Sequence, residues 1–519
     1  MNLRKQWLQW HNRLGWYALA GILVWAISGI SHPMMAWFGP SAAKFFPPSM
    51  TLSQGAVGRL PDLLADPAIT ADARVIKLVP SAQGALLQIT RNERDARSYY
   101  RLDEHPGSTA PVTDGDLQQA RWLAAYYSGR PTEEIADIQL QTRFDNAYPS
   151  VNRLLPVYRV RFAGDDRLTL FVHTETAALA SMTDASKTLL QGVFRQLHTF
   201  AWLDELEYGR LMLIGLLMLT LAVFATTGLA LVFALKSRKI TDGKRRYHRW
   251  LGYALWLPLL GWSASGFYHL LQSSLVEPVE GLRLGETVVS VELSGDFTWL
   301  SELDGRAFNS VSLIAGDGGE PLYRIGLAPE AGTAPGSRNQ RFDGRPSEGG
   351  ALFVNARTGR LLQDYSDRQQ AQLLAGRFAG AAVTITDTEL VTRYGPDYDF
   401  RNKRLPVWRV TVDDGRGTML FVDPVTGVLV DQSRRIDRSE RLSFSLLHKW
   451  SHLTPFTGRQ VRDVMIVATL MLLLTISALG AILLLGRNKR RRRTAVPGAP
   501  VASPVQTPDS APQPAPANS

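Results

Sequence analysis

One stretch occurs twice in this chain, and it constrains everything else. His11–His32 reads HNRLGWYALAGILVWAISGISH, and His248–His269 reads HRWLGYALWLPLLGWSASGFYH. Both begin and end on histidine. The same positions recur between them: Leu14-Gly15 with Leu251-Gly252, Trp25 with Trp262, and Ser28-Gly29 with Ser265-Gly266. The remaining residues are nearly all apolar, so each copy is expected to cross a membrane as a helix. At about 1.5 Å per residue, the two histidines of a copy lie roughly 31 Å apart, about one hydrocarbon thickness. At about 100° per residue they differ by only about 60° in direction and share a face. Imidazoles on one face at both membrane surfaces suit the ligands of two stacked cofactors.

The net charge of +10 is unevenly placed. Sixteen Lys and Arg fall in the first thirteen residues, in Lys236–Arg249 and in the tail 486–519, opposed only by Asp242 and Asp509. These segments therefore carry +14, and the rest of the 519 residues carries −4. Such a split is a topology signal, and no nucleic-acid partner is expected. The chain has no cysteine, which excludes disulfides, thiolate metal sites, iron–sulfur clusters and thiol catalysis.

Four spanning segments are expected, at 14–38, 211–235, 250–272 and 463–485. Residues 1–13 are too short and polar for a cleavable signal and read as the start of an uncleaved anchor. The positive-inside rule puts both termini and the linker 236–249 in the cytoplasm. The segments 39–210 and 273–462 then lie outside, in the periplasm if the lipid bilayer is a bacterial inner membrane. The tail 486–519 is basic, then Pro/Ala/Ser-rich from Thr494, and is expected to be disordered there.

The outer segments also repeat. TRFDNAYPSVNRLLPVYRVRF at Thr142–Phe162 matches TRYGPDYDFRNKRLPVWRVTV at Thr392–Val412, 250 residues on. The same offset carries Phe171-Val172 onto Phe421-Val422 and His198 onto His448. Helical runs at 116–128 and 367–379 precede alternating segments that read as strand hairpins, at 156–160 with 168–172 in the first copy. Asp423–Gly427 reads as a turn. The expected fold is a tandem internal duplication: an α-helical bundle of four transmembrane helices with two α+β periplasmic domains. The repeats run parallel, related by an axis near the membrane normal.

His248-Arg249-Trp250-Leu251-Gly252 entering a helix, Phe421–Gly427, and Leu197-His198 with Leu447-His448 before the return helices form a motif set. It resembles the PepSY-associated transmembrane family over most of residues 1–490. That resemblance implies PepSY-like outer domains and kinship with iron-regulated bacterial inner-membrane proteins, some of them haem-containing ferric-siderophore reductases. The first copy departs from the pattern, with His173-Thr174-Glu175-Thr176 in place of Asp-Pro-x-Thr. Fold and function separate, so membership alone does not establish reductase activity.

Nine histidines are present, and six recur between the copies: His11 with His248, His32 with His269, and His198 with His448. Ionisable groups at membrane boundaries are functional candidates; the plainer alternative is interfacial snorkelling or packing. Two neutral imidazoles on opposite faces of a porphyrin give an electron-transferring iron with no open site. Gly15, Gly29, Gly252 and Gly266 would let a macrocycle approach the backbone. Zinc wants three or four close ligands, and a proton relay wants an acid, which these helices lack. On the cytoplasmic side only His11 and His248 are available. Outside, His32, His198, His269 and His448 could hold one haem or two, so two haems b are expected, or three. His198 reaches the membrane plane only if Leu189–Leu197 forms an amphipathic surface helix and the chain turns near Asp204–Gly209. His105 and His173 read as surface residues. His452 is expected to share a helix face with His448, and its role stays open between spare ligand, substrate contact and neither.

These readings converge on electron transfer across the membrane to a ferric siderophore or other periplasmic acceptor. No Gly-rich dinucleotide fingerprint precedes a cytoplasmic helix, so the donor is a separate cytoplasmic flavoprotein or membrane quinol. The rival is a PepSY-type membrane-anchored regulator or peptidase inhibitor without redox activity. A transporter is a second rival, disfavoured by unbroken apolar runs.

Overall fold

A computed structural model of the chain describes residues 3–52, 57–102, 110–234, 242–279, 281–288, 293–294, 298–303, 305–329, 349–380, 383–395 and 397–494, with backbone only at 207, 298, 302 and 488–494. His105, linker residues 236–241 and the tail from 495 onward, where disorder is expected, lie outside the described residues.

The chain begins with helix α1 (Leu3–Phe38), which runs through both His11 and His32 without a break. Its buried face carries Gly15, Ala18, Ile22 and Ala26. These are spaced by three and four residues, which keeps small side chains on one stripe for close helix packing. Strands β1 (Val75–Ser81), β2 (Gly84–Thr90) and β3 (Ser98–Arg101) follow, then helix α2 (Gly115–Ser128). Next come β4 (Ile135–Gln141), β5 (Val157–Phe162), β6 (Thr169–His173) and β7 (Ala178–Thr183). Helix α3 (Ala185–His198) leads into the long helix α4 (Glu207–Ala234).

The second half repeats this order. Helix α5 (Gly243–Leu275) carries His248 and His269. Strands β8 (Phe308–Ala315), β9 (Pro321–Leu327) and β10 (Ala351–Asn355) precede α6 (Asp367–Ala379). Then come β11 (Thr384–Val391), β12 (Val407–Asp413), β13 (Met419–Asp423) and β14 (Val428–Ser433). Helix α7 (Arg435–Ser443) ends in a π-turn over Phe444–His448, and α8 (Thr454–Thr494) closes the described chain.

The long helices pack in a ring, α1 on α4, α4 on α5, α5 on α8 and α8 on α1. Ala18, Ile22, Ala26, Leu221, Leu255, Leu259 and Leu470 meet at its centre. Among the described residues, Leu3–Phe38, Tyr208–Ala234 and Ser451–Arg487 are long and apolar enough to cross a membrane. The chain is thus a membrane protein of helices and antiparallel sheets. Helices α1 and α4 begin before their expected spans, and α5 and α8 overrun theirs at both ends, where the helices continue through polar turns.

Outside the bundle, β4–β7 and β11–β14 form antiparallel four-stranded sheets of the same order. Their registers match at the 250-residue offset, Ile135↔Phe162 with Ile385↔Val412, down to shifts at Ile135/Asp137 and Ile385/Asp387. Helices α2 and α6 cover one face of each through Leu123 and Leu374. The remaining strands make one sheet of order β10-β9-β8-β1-β2-β3. Its middle pair, Ile76↔Leu313 and Lys77↔Ser312, joins the two halves of the chain. The outer segments read from the sequence as two separate units therefore share a sheet. Each three-stranded ribbon has an edge with unpaired N–H and C=O groups, and pairing like edges satisfies both.

Candidate functional site

At one end of the ring, α1 and α5 bring His11 and His248 together. Their ring centroids lie 6.5 Å apart with planes at 68°. His11 stacks on Phe224 of α4 at 4.2 Å. The Phe224 carbonyl lies beside the same ring, although among the described residues His11 Nδ1 finds no hydrogen bond of ordinary geometry. In the other half, His248 Nδ1 sits 3.2 Å from the carbonyl oxygen of Ile476 on α8. A Cβ on Gly228 would lie 3.4 Å from His11 Cε1, and one on Gly480 would lie 3.2 Å from His248 Cε1. Both glycines sit four residues after the contacted backbone, so each histidine rests on a matching notch of the return helix of its own half.

At the other end, α3 and the π-turn deliver His198 and His448, whose centroids lie 6.2 Å apart with planes at 90°. Three repeated side chains hold each of them. Trp25 Nε1 donates to the His198 carbonyl at 3.1 Å, and Trp262 Nε1 to the His448 carbonyl at 3.0 Å. Ser28 Oγ lies 3.0 Å from His198 Nδ1, and Ser265 Oγ lies 3.3 Å from His448 Nδ1. Phe194 stacks on His198, and Phe444 on His448, both at 4.4 Å. The backbone reverses immediately afterwards at Phe200 (φ 54°) and Trp450 (φ 51°). That reversal comes before the Asp204–Gly209 turn expected from the sequence.

His32 and His269 flank this pair. His32 lies 5.7 Å from the Phe194 ring, and His269 lies 4.9 Å from that of Phe444. His269 Nδ1 contacts Glu440 Oε1 at 2.6 Å. Glu440 arrives from α7, outside the histidine-bearing long helices, and supplies the acidic partner that those helices lack. His452 follows the break at Trp450, so it does not continue the helix face of His448; it is exposed. A cavity of about 3400 Å³ opens between the outer sheets and the helix ends. His32, His198, His269, His448 and His452 all line it.

Two imidazoles that bind one metal ion at about 2 Å each place their ring centroids roughly 6 Å apart. Both pairs meet that spacing. In metal sites the second ring nitrogen of such a histidine is held by a carbonyl or another acceptor, which leaves Nε2 free for the metal. Ile476, Ser28 and Ser265 hold Nδ1 in that way. The repeated Trp and Ser were visible in the sequence as recurrences without a role. At the glycines singled out there, a Cβ on Gly15 would meet Leu484, on Gly29 Leu470, on Gly252 Val232 and on Gly266 Met218, with His448 at 3.9 Å from the last.

The altered hairpin of the first half lies above this site. His173, expected at the surface, is fully buried. Its Nδ1 lies 2.8 Å from Thr176 Oγ1 and its Nε2 lies 3.1 Å from Arg97 Nη2. Burial, reinforced by Arg97, pushes its pKa well below the ordinary value. Glu175 is buried too, paired with Lys77 at 2.9 Å and with Arg404 of the second half. Burial alone would raise the Glu175 pKa, but Arg404 and Lys77 hold it far below the usual carboxylate range. Arg404 also binds Asp423 at 2.8 Å, the aspartate of the second-half turn. The first-half departure from Asp-Pro-x-Thr is therefore one side of a buried lock between the halves.

No curated protein matches the chain. The family model described as the PepSY-associated TM region matches residues 65–306, a stretch that runs from the first outer strands through α5 and includes His198, His248 and His269. Over that stretch, a little under half of its length, the chain is similar to the PepSY-associated transmembrane family.

Proposed function

We propose that this protein carries electrons across a membrane through two haems b, one held by His11 and His248 and the other by His198 and His448. The observation that carries this reading is the pair of imidazole couples, 6.5 and 6.2 Å between centroids, at opposite ends of one helical ring. A haem between two imidazoles supplies reversible one-electron transfer at an iron with no open site. Ser28, which holds His198, is 17 residues along α1 from His11, so the couples are separated by roughly 25 Å along the bundle. His32 and His269 take flanking places, each against the phenylalanine that stacks on an outer imidazole.

Helix α5 is the fourth span in this reading. Its histidine-bounded stretch repeats that of α1, and it packs between α4 and α8. The two halves are a tandem duplication. The basic linker and tail put the His11/His248 end and both termini in the cytoplasm of a bacterium, with the sheets in the periplasm. The cavity above His198 and His448 receives a ferric siderophore or another periplasmic acceptor. A cytoplasmic flavoprotein or membrane quinol gives up each electron, and the ferric ion that takes it becomes ferrous, a weaker acid that its oxygen ligands hold less firmly.

The test is a reduced-minus-oxidised spectrum of the purified full-length protein with haem-to-protein quantification. Bands of b type with two haems per chain are expected. Colourless protein from haem-replete cells would overturn the proposal and favour a regulatory role.

A further inference from the structure

The outer cavity has a charge opposite to that of the domains around it. Thirteen Lys and Arg line it against five Asp and Glu, a net +8. The chain apart from its cytoplasmic segments carries −4. The outer portion beyond the cavity lining is therefore at −12, and the positive charge is concentrated in a recess. Low-dielectric walls focus such a field and draw in counter-ions.

The cations crowd toward the histidines. Lys449, next to His448, lies in the field of Arg401 and Arg462 as well as of Asp399 and Glu440. Its Nζ sits 5.0 Å from the centre of the Phe444 ring, the ring that stacks on His448. His32 lies in the field of Lys449, Arg459 and Arg462. The nearby acids have partners of their own, Glu440 at His269 among them. Asp463 is shared by Arg462 and Arg459, and Asp399 is engaged by Arg401. Arg441 lines the same wall and donates to the backbone carbonyl of Asp397 at 3.2 Å. Like charges held together in a recess repel, and an anion seated among them removes that cost.

Resting on the electron-transfer reading, we infer that the acceptor taken by this cavity is an anionic ferric chelate, with iron held by carboxylate or catecholate oxygens. A neutral or cationic chelate, such as a trihydroxamate, gains nothing from the field. Anionic lipid headgroups share the chemistry of the proposed ligand, and the experiment separates the two.

The experiment uses full-length protein in phosphatidylcholine nanodiscs and redox-inert gallium(III) in place of iron, so binding is read apart from electron transfer. Gallium tris-catecholate, an anion, is compared with a neutral gallium trihydroxamate. The anion should bind at least about tenfold more tightly, and added salt should erode that preference. An Arg401→Gln/Arg441→Gln variant should lose most of the preference and leave the neutral complex unaffected. Equal affinity for the two complexes in the unaltered protein would overturn the inference. So would a preference abolished by adding anionic phospholipid, since headgroups would then hold the site. Binding of neither complex removes the chelate reading of the cavity, while the haem spectrum of the same sample still judges electron transfer.

Discussion

Around His198 the first half supplies Phe194, Trp25 and Ser28; around His448 the second half supplies Phe444, Trp262 and Ser265, at distances that agree within 0.3 Å. In the outer sheets the halves part. Arg404 of the second half, held by Asp423 and Thr426, binds Glu175 of the first, and at the 250-residue offset the first half has Leu154, His173 and Thr176 in place of those three. Beside the flanking histidines, Glu440 stands where the first half has Leu190. The difference follows from where each group sits. A pair of ligands meeting between the halves needs the same parts from both. A salt bridge between them needs a cation from one and an anion from the other, so a lock of that kind must break the repeat.

The first way to break this comparison is at the shared site. His198→Leu and His448→Leu should each remove the outer haem and leave about one haem per chain, with ferric-chelate reduction in vesicles lost. His11→Leu and His248→Leu should each remove the inner one. His32→Leu and His269→Leu should leave haem content unchanged. The matched pairs must behave alike; a His448 variant that kept both haems would end the assignment.

The second tests the lock, where the halves are unlike. Glu175→Gln leaves Lys77 and one side of Arg404 without a carboxylate. Removing one partner of a buried pair costs about 3–5 kcal/mol. The outer domains should melt several degrees lower while the haem bands of the bundle stay in place. The reverse substitution on the other half, Arg404→Leu, should cost at least as much, since it strands Glu175 and Asp423 together. An unchanged melting curve in both variants would show that the contact bears no load.

Much of the shared site was legible because its signals are local. Histidines 21 residues apart in an apolar run announce one face of one helix, and α2 and α6 fall at the periodic runs expected of them. The tryptophans and serines recurred in plain view, but recurrence gives no direction, and their partners lie more than 150 residues away. The joining of β1 to β8 left no trace for the same reason: a strand edge does not encode a partner over 200 residues on. His173 sits in the polar string His-Thr-Glu-Thr, which reads as exposed. Its burial is imposed by Arg97, Lys77 and Arg404, brought from three other parts of the chain.

The third prediction uses that buried histidine. Folded His173 holds a proton less well than unfolded histidine, whose pKa is about 6.5. As pH falls below that value, the unfolded chain binds a proton that the folded chain refuses, so stability drops. One such group contributes at most about 1.4 kcal/mol per pH unit. Glu175, with its depressed pKa, adds a further loss only below about pH 4.3. The outer-domain melting temperature should therefore decline from pH 7 to pH 5, and His173→Gln should flatten that limb. A decline of the same size in His173→Gln would assign it elsewhere.

The smallest expected effect sharpens the comparison most, because it measures the shared parts against each other. Ser28 Oγ lies 3.4 Å from the Trp25 carbonyl, and Ser265 Oγ lies 3.2 Å from that of Trp262. A hydroxyl that donates to its own helix offers lone pairs elsewhere, so each serine accepts from Nδ1–H of its histidine. This fixes the proton on Nδ1 and leaves Nε2 of His198 and of His448 as the unprotonated ring nitrogen. An acceptor on Nδ1 also makes an imidazole a stronger electron donor and favours the oxidised iron. Replacing either serine with alanine should raise the midpoint potential of the outer haem and leave the inner one alone. A net hydrogen bond of about 1 kcal/mol corresponds to a shift on the order of tens of millivolts for one electron. Ser28→Ala should shift it more than Ser265→Ala, since its contact with the histidine is 3.0 Å against 3.3 Å. Redox titration of the two variants reads both sign and order. A fall in potential, or no change, would show that the serines do not accept from Nδ1–H of the two histidines.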